Sequence, residues 1–334
     1  MEVDLTRQSL AITIRELHDV GDARRRAMYA GKDIGFDETV NGRVGIIATE
    51  LASNLVKHAG GGSLVLRVLS SGKERGLELM SLDDGQGMDA HRCVEDGYST
   101  AGSPGTGLGA IKRLASDFEI YSLAGKGSVL VARIWPQGMP LVGYDIGAVC
   151  LPVGGERLCG DGWAVRAQPD GLDIVVSDGL GHGPIAAEAS DVSLEVFERK
   201  PDLDPVAMLE TMHTAMRGTR GAAVLTGRLD TVRNSLTCAG VGNIAGYVLS
   251  MPKPKGVVSM NGIVGHQVHK VKAFSYECAM EDLIILHSDG LTTHWRLEDF
   301  PGLSSRSASV IAGMMYKSFK RGKDDATVVV IRRL

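Results

Sequence analysis

Ile174-Val175-Val176-Ser177-Asp178-Gly179-Leu180-Gly181-His182-Gly183 is an apolar run that ends in a carboxylate and passes at once into glycine. Its β-branched start reads as a buried strand, so Asp178 is delivered to the rim of a sheet. Leu283-Ile284-Ile285-Leu286-His287-Ser288-Asp289-Gly290 repeats the pattern, and Asp161-Gly162 and Asp324-Asp325 add further acidic points. Any one Asp-Gly reads as a turn, but four such points around strand ends make a constellation. Carboxylates gathered without neutralising bases repel one another, so a rim that holds them needs cations. Two divalent ions about 3.5–4 Å apart would relieve the repulsion and stabilise both ends of an in-line phosphoryl displacement.

A second constellation lies upstream and does not overlap the first. From about Gly42 to His58, Val44, Ile47, Leu51 and Leu55 recur at helical steps and define one buried face. Glu50 and Asn54 are four residues apart on that helix and share a face. An amide oxygen suits Mg²⁺, and a carboxylate beside it can orient a nucleophile or take its proton; an ordinary polar helix face is the alternative for this pair alone. Asp83 ends an apolar strand and opens Asp83-Asp84-Gly85-Gln86-Gly87, where glycines let the backbone turn against a planar ligand while the carboxylate accepts from an exocyclic amine. Alone, the run is also a solvated turn. Gly105-Thr106-Gly107-Leu108-Gly109 precedes the helical stretch Ala110 to Ala115, and glycines at a helix start let phosphates reach free amides. The Gly-Lys-Ser/Thr ending of a P-loop is absent.

At 334 residues the chain is long enough for two domains. Pro136-Gln137-Gly138-Met139-Pro140 breaks the strand pattern, which divides an expected N-terminal domain, 1–138, from a C-terminal domain, 139–334. The first reads as helices over a mixed sheet. The second reads as strands, two helices at about Pro184 to Phe197 and Pro205 to Met216, more strands, and a late helix near Ser307 to Ser318, an α+β layer sandwich. A net charge of −4 with interspersed signs gives no basic stripe, so neither nucleic acid nor an anionic membrane is expected as partner. The N-terminus lacks the features of a secretory signal and no apolar run approaches a spanning length, so a cytoplasmic location is expected. Five widely spaced cysteines without a CxxC pair suggest reduced thiols.

The ordered set Glu50-Leu51-Ala52-Ser53-Asn54, Asp83-x-Gly85-x-Gly87 and Gly105-x-Gly107-x-Gly109 resembles the GHKL (Bergerat-fold) ATPase/kinase superfamily over roughly residues 8 to 136. More closely, it is similar to the RsbT and RsbW class of bacterial serine kinases that act on STAS-domain switch proteins. The resemblance implies an α/β sandwich that binds ATP, with Glu50 as catalytic carboxylate and Asn54 holding Mg²⁺. It further implies that Asp83, with Gly85 and Gly87, binds adenine, and that Gly105, Thr106, Gly107, Leu108 and Gly109 line the phosphates. A histidine-kinase arrangement does not fit, because about thirty residues separate His18 from Glu50, too few for a dimerising hairpin before a catalytic domain.

Gly160-Asp161-Gly162, the Asp178 to Gly183 run, Ser288-Asp289-Gly290 and Asp324-Asp325-Ala326-Thr327 resemble the SpoIIE branch of PPM metal-dependent serine/threonine phosphatases over roughly 143 to 334. Thr219-Arg220-Gly221-Ala222-Ala223 and Ala239-Gly240-Val241-Gly242-Asn243-Ile244 narrow the likeness to RsbX-like members. The resemblance implies an α/β/β/α sandwich with Mn²⁺ or Mg²⁺. Asp178 would bridge two ions, the Gly179 carbonyl would add a ligand, and Asp161, Asp289 and Asp324 would complete the shells. Gly162-Trp163-Ala164 replaces the usual acidic and aromatic residues there. His182 is either a proton donor or a structural loop residue, and Arg220 is a candidate phosphate contact because its loop is flanked by glycine. The two resemblances imply a bifunctional regulator of STAS-domain proteins in bacterial stress or sigma-factor signalling. The alternative is an ATP-dependent sequestering or anti-sigma module fused to an active phosphatase.

Overall fold

The structure is a computed structural model that describes residues 7–88, 107–140, 143–250 and 253–334. Contacts divide the chain into two compact units, one of Asp4–Val142 with Arg296–Lys317, the other of Gly143–Trp295 with Ser318–Leu334. The first unit is therefore built from two separate stretches of sequence.

In that unit, strands β1 (Leu10–Ile14), β2 (Gly62–Ser71), β3 (Glu74–Asp83), β4 (Asp117–Leu123) and β5 (Gly127–Ile134) form one sheet in the order β1-β2-β3-β5-β4. Every pairing is antiparallel, which corrects the mixed sheet expected from the sequence. β2–β3 and β4–β5 are hairpins, and the crossover through the helix Gly107–Leu114 places β5, the returning strand of its hairpin, beside β3, so that pairing is antiparallel as well. Helices α1 (Leu17–Asp33), α2 (Glu38–Asn54) and α3 (Gly107–Leu114) belong to this unit. α1 starts with a box in which Asp19 accepts from the Arg15 and Glu16 amides, and His18 is an exposed residue of its first turn. α2 starts at Asp37, whose side chain accepts from the Val40 amide. It runs into a π-turn, Leu55–Ala59, which ends at Gly60 with φ +73°. Val44, Ile47, Ala48 and Leu51 pack with Leu64, Leu66, Leu77, Leu79, Leu130 and Ala132 in one core on one face of the sheet.

The opposite face is covered as well. α6 (Ala308–Phe319) is buried at every residue from Ala308 to Met315, as a helix apolar all round must be. A Cβ on its Gly313 would meet Met80 Sδ at 2.6 Å and Val129 Cγ1 at 3.0 Å, so glycine permits the close approach. Beside it, Ser309 Oγ donates to Glu78 Oε2 (2.6 Å) and accepts from Arg133 Nη2 (2.8 Å) and Arg67 Nη2 (3.2 Å). Arg67 and Arg133 each pair with Glu78 at 3.0 Å. Burial acts to raise the Glu78 carboxyl, but the two guanidinium groups outweigh it and hold the group below its ordinary value.

The second unit contains two five-stranded antiparallel sheets. One has the order β15-β10-β9-β8-β7, from β7 (Asp161–Gln168), β8 (Gly171–Gly179), β9 (Ala222–Asp230), β10 (Ser235–Val241) and β15 (Ala273–Glu277). The other has the order β12-β11-β16-β17-β6, from β6 (Tyr144–Leu151), β11 (Ala245–Leu249), β12 (Lys255–Val257), β16 (Leu283–His287) and β17 (Ala326–Arg333). A small hairpin, β13 (Gly262–Ile263) and β14 (Gln267–Val268), stands apart. Alternation along β8 places Ile174 and Val176 in the core between the sheets with Leu225, Leu286, Val329 and Ile331. It turns Val175 to the other side, under α4 (Pro184–Arg199) and α5 (Pro205–Ala215), where Leu194, Phe197, Met208 and Met212 meet it. β12 to β15 have no counterpart in the sequence reading, because they are short and half-exposed. Cys150, Cys159, Cys238 and Cys278 are free thiols; Cys93 lies outside the described residues. Among the described residues no helix is long and apolar enough to cross a membrane.

Candidate functional site

Two sites emerge, one in each unit. In the first, Glu50 and Asn54 occupy the last turn of α2, and Asn54 is the residue at which the helix widens into the π-turn, a local irregularity often found at functional positions. Both side chains are half-buried. Gly107, the first residue of α3, lies against Glu50 so closely that a Cβ would come within 2.7 Å of Oε2. The fold thus brings the helix start and the α2 carboxylate together across more than fifty residues of sequence. Leu108 and Gly109 lie in the same first turn, where backbone amides are unpaired by the helix. Gly105 and Thr106 lie outside the described residues.

Asp83 ends β3, 7% exposed. Its Oδ1 accepts from the amides of Gly85 (2.9 Å) and Ser128 (3.2 Å), which leaves Oδ2 for an exocyclic amine. Burial pushes the carboxyl up, while these amides oppose the shift. Gly87 has φ +79°, and a Cβ there would strike the Leu123 carbonyl at 2.6 Å, so the turn beside Asp83 accepts only glycine. Asp84 faces outward and pairs with Lys317 Nζ at 2.8 Å. A carboxylate set to read an amine, a carboxylate and amide on one helix face, and a glycine-opened helix start together fit a magnesium nucleotide.

The second site is built by register. Asp161 on β7 is directly opposite Asp178 on β8, and Gly179 is opposite Ala222 on β9. Asp161, 2% exposed, accepts from Ser288 Oγ at 2.7 Å, and the same Ser288 oxygen accepts from the Thr327 amide at 3.0 Å. Asp289 follows Ser288, and its Oδ2 accepts from Asn243 Nδ2 at 2.7 Å. Burial, and then repulsion from Asp161, Asp289 and Asp324, pushes the Asp178 carboxyl up to about 9. Burial also lifts Asp161 and Asp289. These four carboxylates therefore sense one another at one sheet rim. Among the described residues no three His, Cys, Asp or Glu side chains close on a single point, so the rim is an open acidic cluster that a cation would draw together. All donors are oxygens, as Mg²⁺ and Mn²⁺ prefer.

Asp325 behaves differently from its neighbour. It accepts from the amides of Val153 and Gly160, both at 2.6 Å, and so fixes the turn that carries Asp161. Ser288 and Asn243 sit inside the sequence motifs, yet spacing alone assigns them no role; a polar residue flanking an acidic strand end is the signal that points to Ser288. His182 Nδ1 meets Glu156 Oε1 at 3.0 Å on an exposed loop. His287 is fully buried: its Nδ1 donates to the Ser288 carbonyl, its Nε2 accepts from Trp295 Nε1 (3.0 Å), and burial keeps it neutral by lowering its pKa.

The acidic rim has a consequence for pH. Asp178 is raised from an ordinary 3.8 to about 9, so its neutral form favours folding fully below pH 4 and that contribution fades as pH rises toward 9. A divalent ion held at this rim would replace the proton. Adding Mn²⁺ at pH 7 is expected to raise the melting temperature and to release about one proton per chain or more. Calorimetric titration in two buffers of different ionisation enthalpy checks this, and binding without proton release would contradict the protonated rim.

Comparison with known proteins also divides the chain in two, although Arg296–Lys317, which belongs to the first compact unit, falls within the C-terminal match. Residues 168–334, half the chain, match the family profile of Stage II sporulation protein E. The chain belongs to the SpoIIE family. Its residues 15–134 match the histidine kinase-like ATPase domain, and the N-terminal unit carries that domain. The serine/threonine-protein kinase RsbT of Bacillus subtilis (strain 168) is 33% identical over 118 residues, 35% of this chain and 89% of RsbT. The phosphoserine phosphatase RsbX of the same organism is 27% identical over 139 residues, 41% of this chain and 69% of RsbX. A structure described as the bacterial stressosome, a modular system adapted to control secondary messenger signaling, is 27% identical at a TM-score of 0.54, covering 57% of this chain and 99% of that one. RsbX in complex with magnesium is 22% identical at a TM-score of 0.50, over 59% of this chain and 98% of that one, which is a likeness of fold. The unit that carries the SpoIIE-family match thus has the phosphatase fold, and Asp161, Asp178, Asp289 and Asp324 lie at one end of it.

Proposed function

We propose that this chain is a bifunctional partner-switching regulator, an ATP-dependent protein serine kinase (about residues 1–138) joined to a metal-dependent phosphoserine/phosphothreonine phosphatase (about 139–334). The observation that carries the reading is the pair of opposed sites: a Glu50, Asn54 and Asp83 nucleotide site in one unit and the Asp178 rim in the other. In the kinase half, Asn54 would hold Mg²⁺ of ATP, Asp83 would read adenine, the α3 amides would hold phosphates, and Glu50 would orient the substrate hydroxyl. Positioning and charge neutralisation carry most of such a transfer. In the phosphatase half, Asp161, Asp178, the Gly179 carbonyl, Asp289 and Asp324 would hold Mn²⁺ or Mg²⁺, which supplies Lewis-acid activation for ester hydrolysis. The likeness to RsbT, a kinase, and RsbX, a phosphatase, supports STAS-domain proteins of bacterial stress or sigma-factor signalling as substrates.

The test follows phosphoserine by intact mass after the purified chain meets Mg-ATP, Mn²⁺ and STAS-domain proteins from the same genome. Asn54→Ala is expected to abolish phosphorylation while leaving hydrolysis of a phosphorylated substrate intact. Loss of both activities in that variant would overturn independent sites. Stable ATP-dependent complexes without phosphate transfer would replace the kinase by the sequestering module.

A further inference from the structure

Two carboxylates of the acidic rim stand on either side of an excursion of the chain. Asp289 follows β16 and Asp324 precedes β17, and both belong to the second compact unit. Between them, Arg296–Lys317 belongs to the first. The chain leaves and returns through a neck of paired backbone. The Arg321 amide donates to the Gly290 carbonyl (2.8 Å), the Thr292 amide donates to the Phe319 carbonyl (3.0 Å), and Leu291 forms an antiparallel bridge with Lys320. A Cβ on Gly290 would strike the Asp325 carbonyl, so the neck lies tight against the residue that follows Asp324. Phe319 is also the last residue of α6, and the helix therefore runs into the neck without a break.

The excursion also holds the Asp83 loop. Lys317, its side chain 7% exposed, donates from Nζ to Asp84 Oδ1 (2.8 Å) and to the Lys126 carbonyl (2.6 Å). Lys126 Nζ donates to the Asp299 carbonyl (3.4 Å) and lies 4.3 Å from the centre of the Phe300 ring. Tyr121 donates to the Pro301 carbonyl (3.1 Å), and the Ser307 amide donates to Glu119 Oε2 (3.1 Å). β4 and the turn after it thus hold the excursion from Asp299 to Lys317. That turn is fastened in its turn to the Asp83 loop: the Gly125 amide donates to the Gln86 carbonyl (3.0 Å), the Met88 amide donates to Ser122 Oγ (2.7 Å), and a Cβ on Gly127 would strike the Asp83 carbonyl.

A cation at the rim has to draw its carboxylates together, because among the described residues no three His, Cys, Asp or Glu side chains close on a single point. Any shift of Asp289 or Asp324 is felt at the neck and along α6 to Lys317. An adenine held by Asp83 would fix the loop that Lys317 and the β4–β5 turn grip. Either ligand therefore orders the same stretch of chain, and the second to bind has less left to order. We propose that the nucleotide site and the acidic rim are coupled through α6 and its neck, each ligand tightening the other, with Lys317 as the link. This rests on the reading of the two sites as nucleotide and metal sites, and it adds how one half of the chain senses the other.

The test titrates Mn²⁺ into the full-length chain by calorimetry, with and without saturating adenosine, a probe that offers an adenine but no phosphate to chelate the metal or to be transferred. Adenosine is expected to tighten Mn²⁺ binding about fivefold, the lower end for coupled sites, and Mn²⁺ to tighten adenosine by the same factor, as linkage requires. Lys317→Ala should bring the factor below about twofold while the Mn²⁺ affinity without adenosine stays at the wild-type value. Asp84→Ala opens the same ion pair from its exposed side and should do likewise, which separates uncoupling from a folding defect of the buried lysine variant. Equal Mn²⁺ affinity with and without adenosine in wild type overturns the coupling, and full coupling in both variants overturns the route through Lys317. Failure of wild type to bind adenosine alone, or Mn²⁺ alone, overturns the reading of that site and the proposal with it, a result distinct from two ligands bound independently.

Discussion

Asp178→Asn is expected to stop phosphoserine hydrolysis, with kcat falling by at least about 10²–10³-fold, the scale for losing one preorganised electrostatic partner of a transition state. Asp178 is the carboxylate on which the rim converges: it faces Asp161 across the β7–β8 ladder, accepts a backbone hydrogen bond from Asp289, and feels Asp161, Asp289 and Asp324. An amide keeps the volume and one acceptor oxygen but removes the charge that a cation would neutralise. The metal-free variant should therefore be more stable than wild type near pH 8, because one source of repulsion is gone, yet gain less from Mn²⁺. Phosphorylation by the N-terminal unit should persist, since Glu50, Asn54 and Asp83 belong to the other unit. Full hydrolysis by Asp178→Asn, measured on a phosphorylated substrate under saturating Mn²⁺, would remove the rim from the chemistry.

Glu78→Ala is expected to destabilise the N-terminal unit by about 3–5 kcal/mol, the range for removing one partner of a buried ion pair. Glu78 is 1% exposed and lies between Arg67 and Arg133 with Ser309 from α6 closing the cluster. Without it, two guanidinium groups remain on the sheet face with only Ser309 and weaker partners. The sign with pH follows from the lowered pKa of Glu78: its contribution is present above the ordinary carboxyl value of 4.5 and is lost as pH falls through the lower folded value. Wild type should therefore lose stability steeply at acid pH where Glu78→Gln does not. Replacing Glu78, Arg67 and Arg133 together by apolar residues of similar volume should cost far less than Glu78→Ala. If the triple replacement costs as much as the single one, shape and not charge holds α6 in place.

Much of both sites is legible in the order of residues along the chain. Apolar runs ending in Asp-Gly predict carboxylates at sheet rims, and Asp178 and Asp289 stand at the ends of β8 and β16. Glu50 and Asn54 at a helical spacing of four do share the end of α2. Less visible are the groups that act through contact at a distance in sequence. Asp325 and Asp324 are neighbours of the same type, and only tertiary hydrogen bonds to Val153 and Gly160 separate an anchor from a candidate ligand. Ser288 and Asn243 gain meaning only when β16, β7 and the loop after β10 meet.

The sequence by itself determined much of the local order: which of the longer runs are strands and helices, where carboxylates and glycines cluster, and that two unlike sets of them follow one another. Those features depend on periodicity of two or 3.6 residues and on glycine's backbone freedom, which act over a few positions. The tertiary structure decided the allegiance of α6. Its run of buried residues announces a helix enclosed on all sides without saying by what, and it lies within the 139–334 stretch of sequence. Its Ser309 nevertheless completes a charge cluster with Arg67, Glu78 and Arg133, more than 170 residues away in the chain, and its Gly313 admits Met80. Burial and ion pairing depend on distance in space, so a pattern confined to neighbouring residues carries no record of which surface a helix will cover.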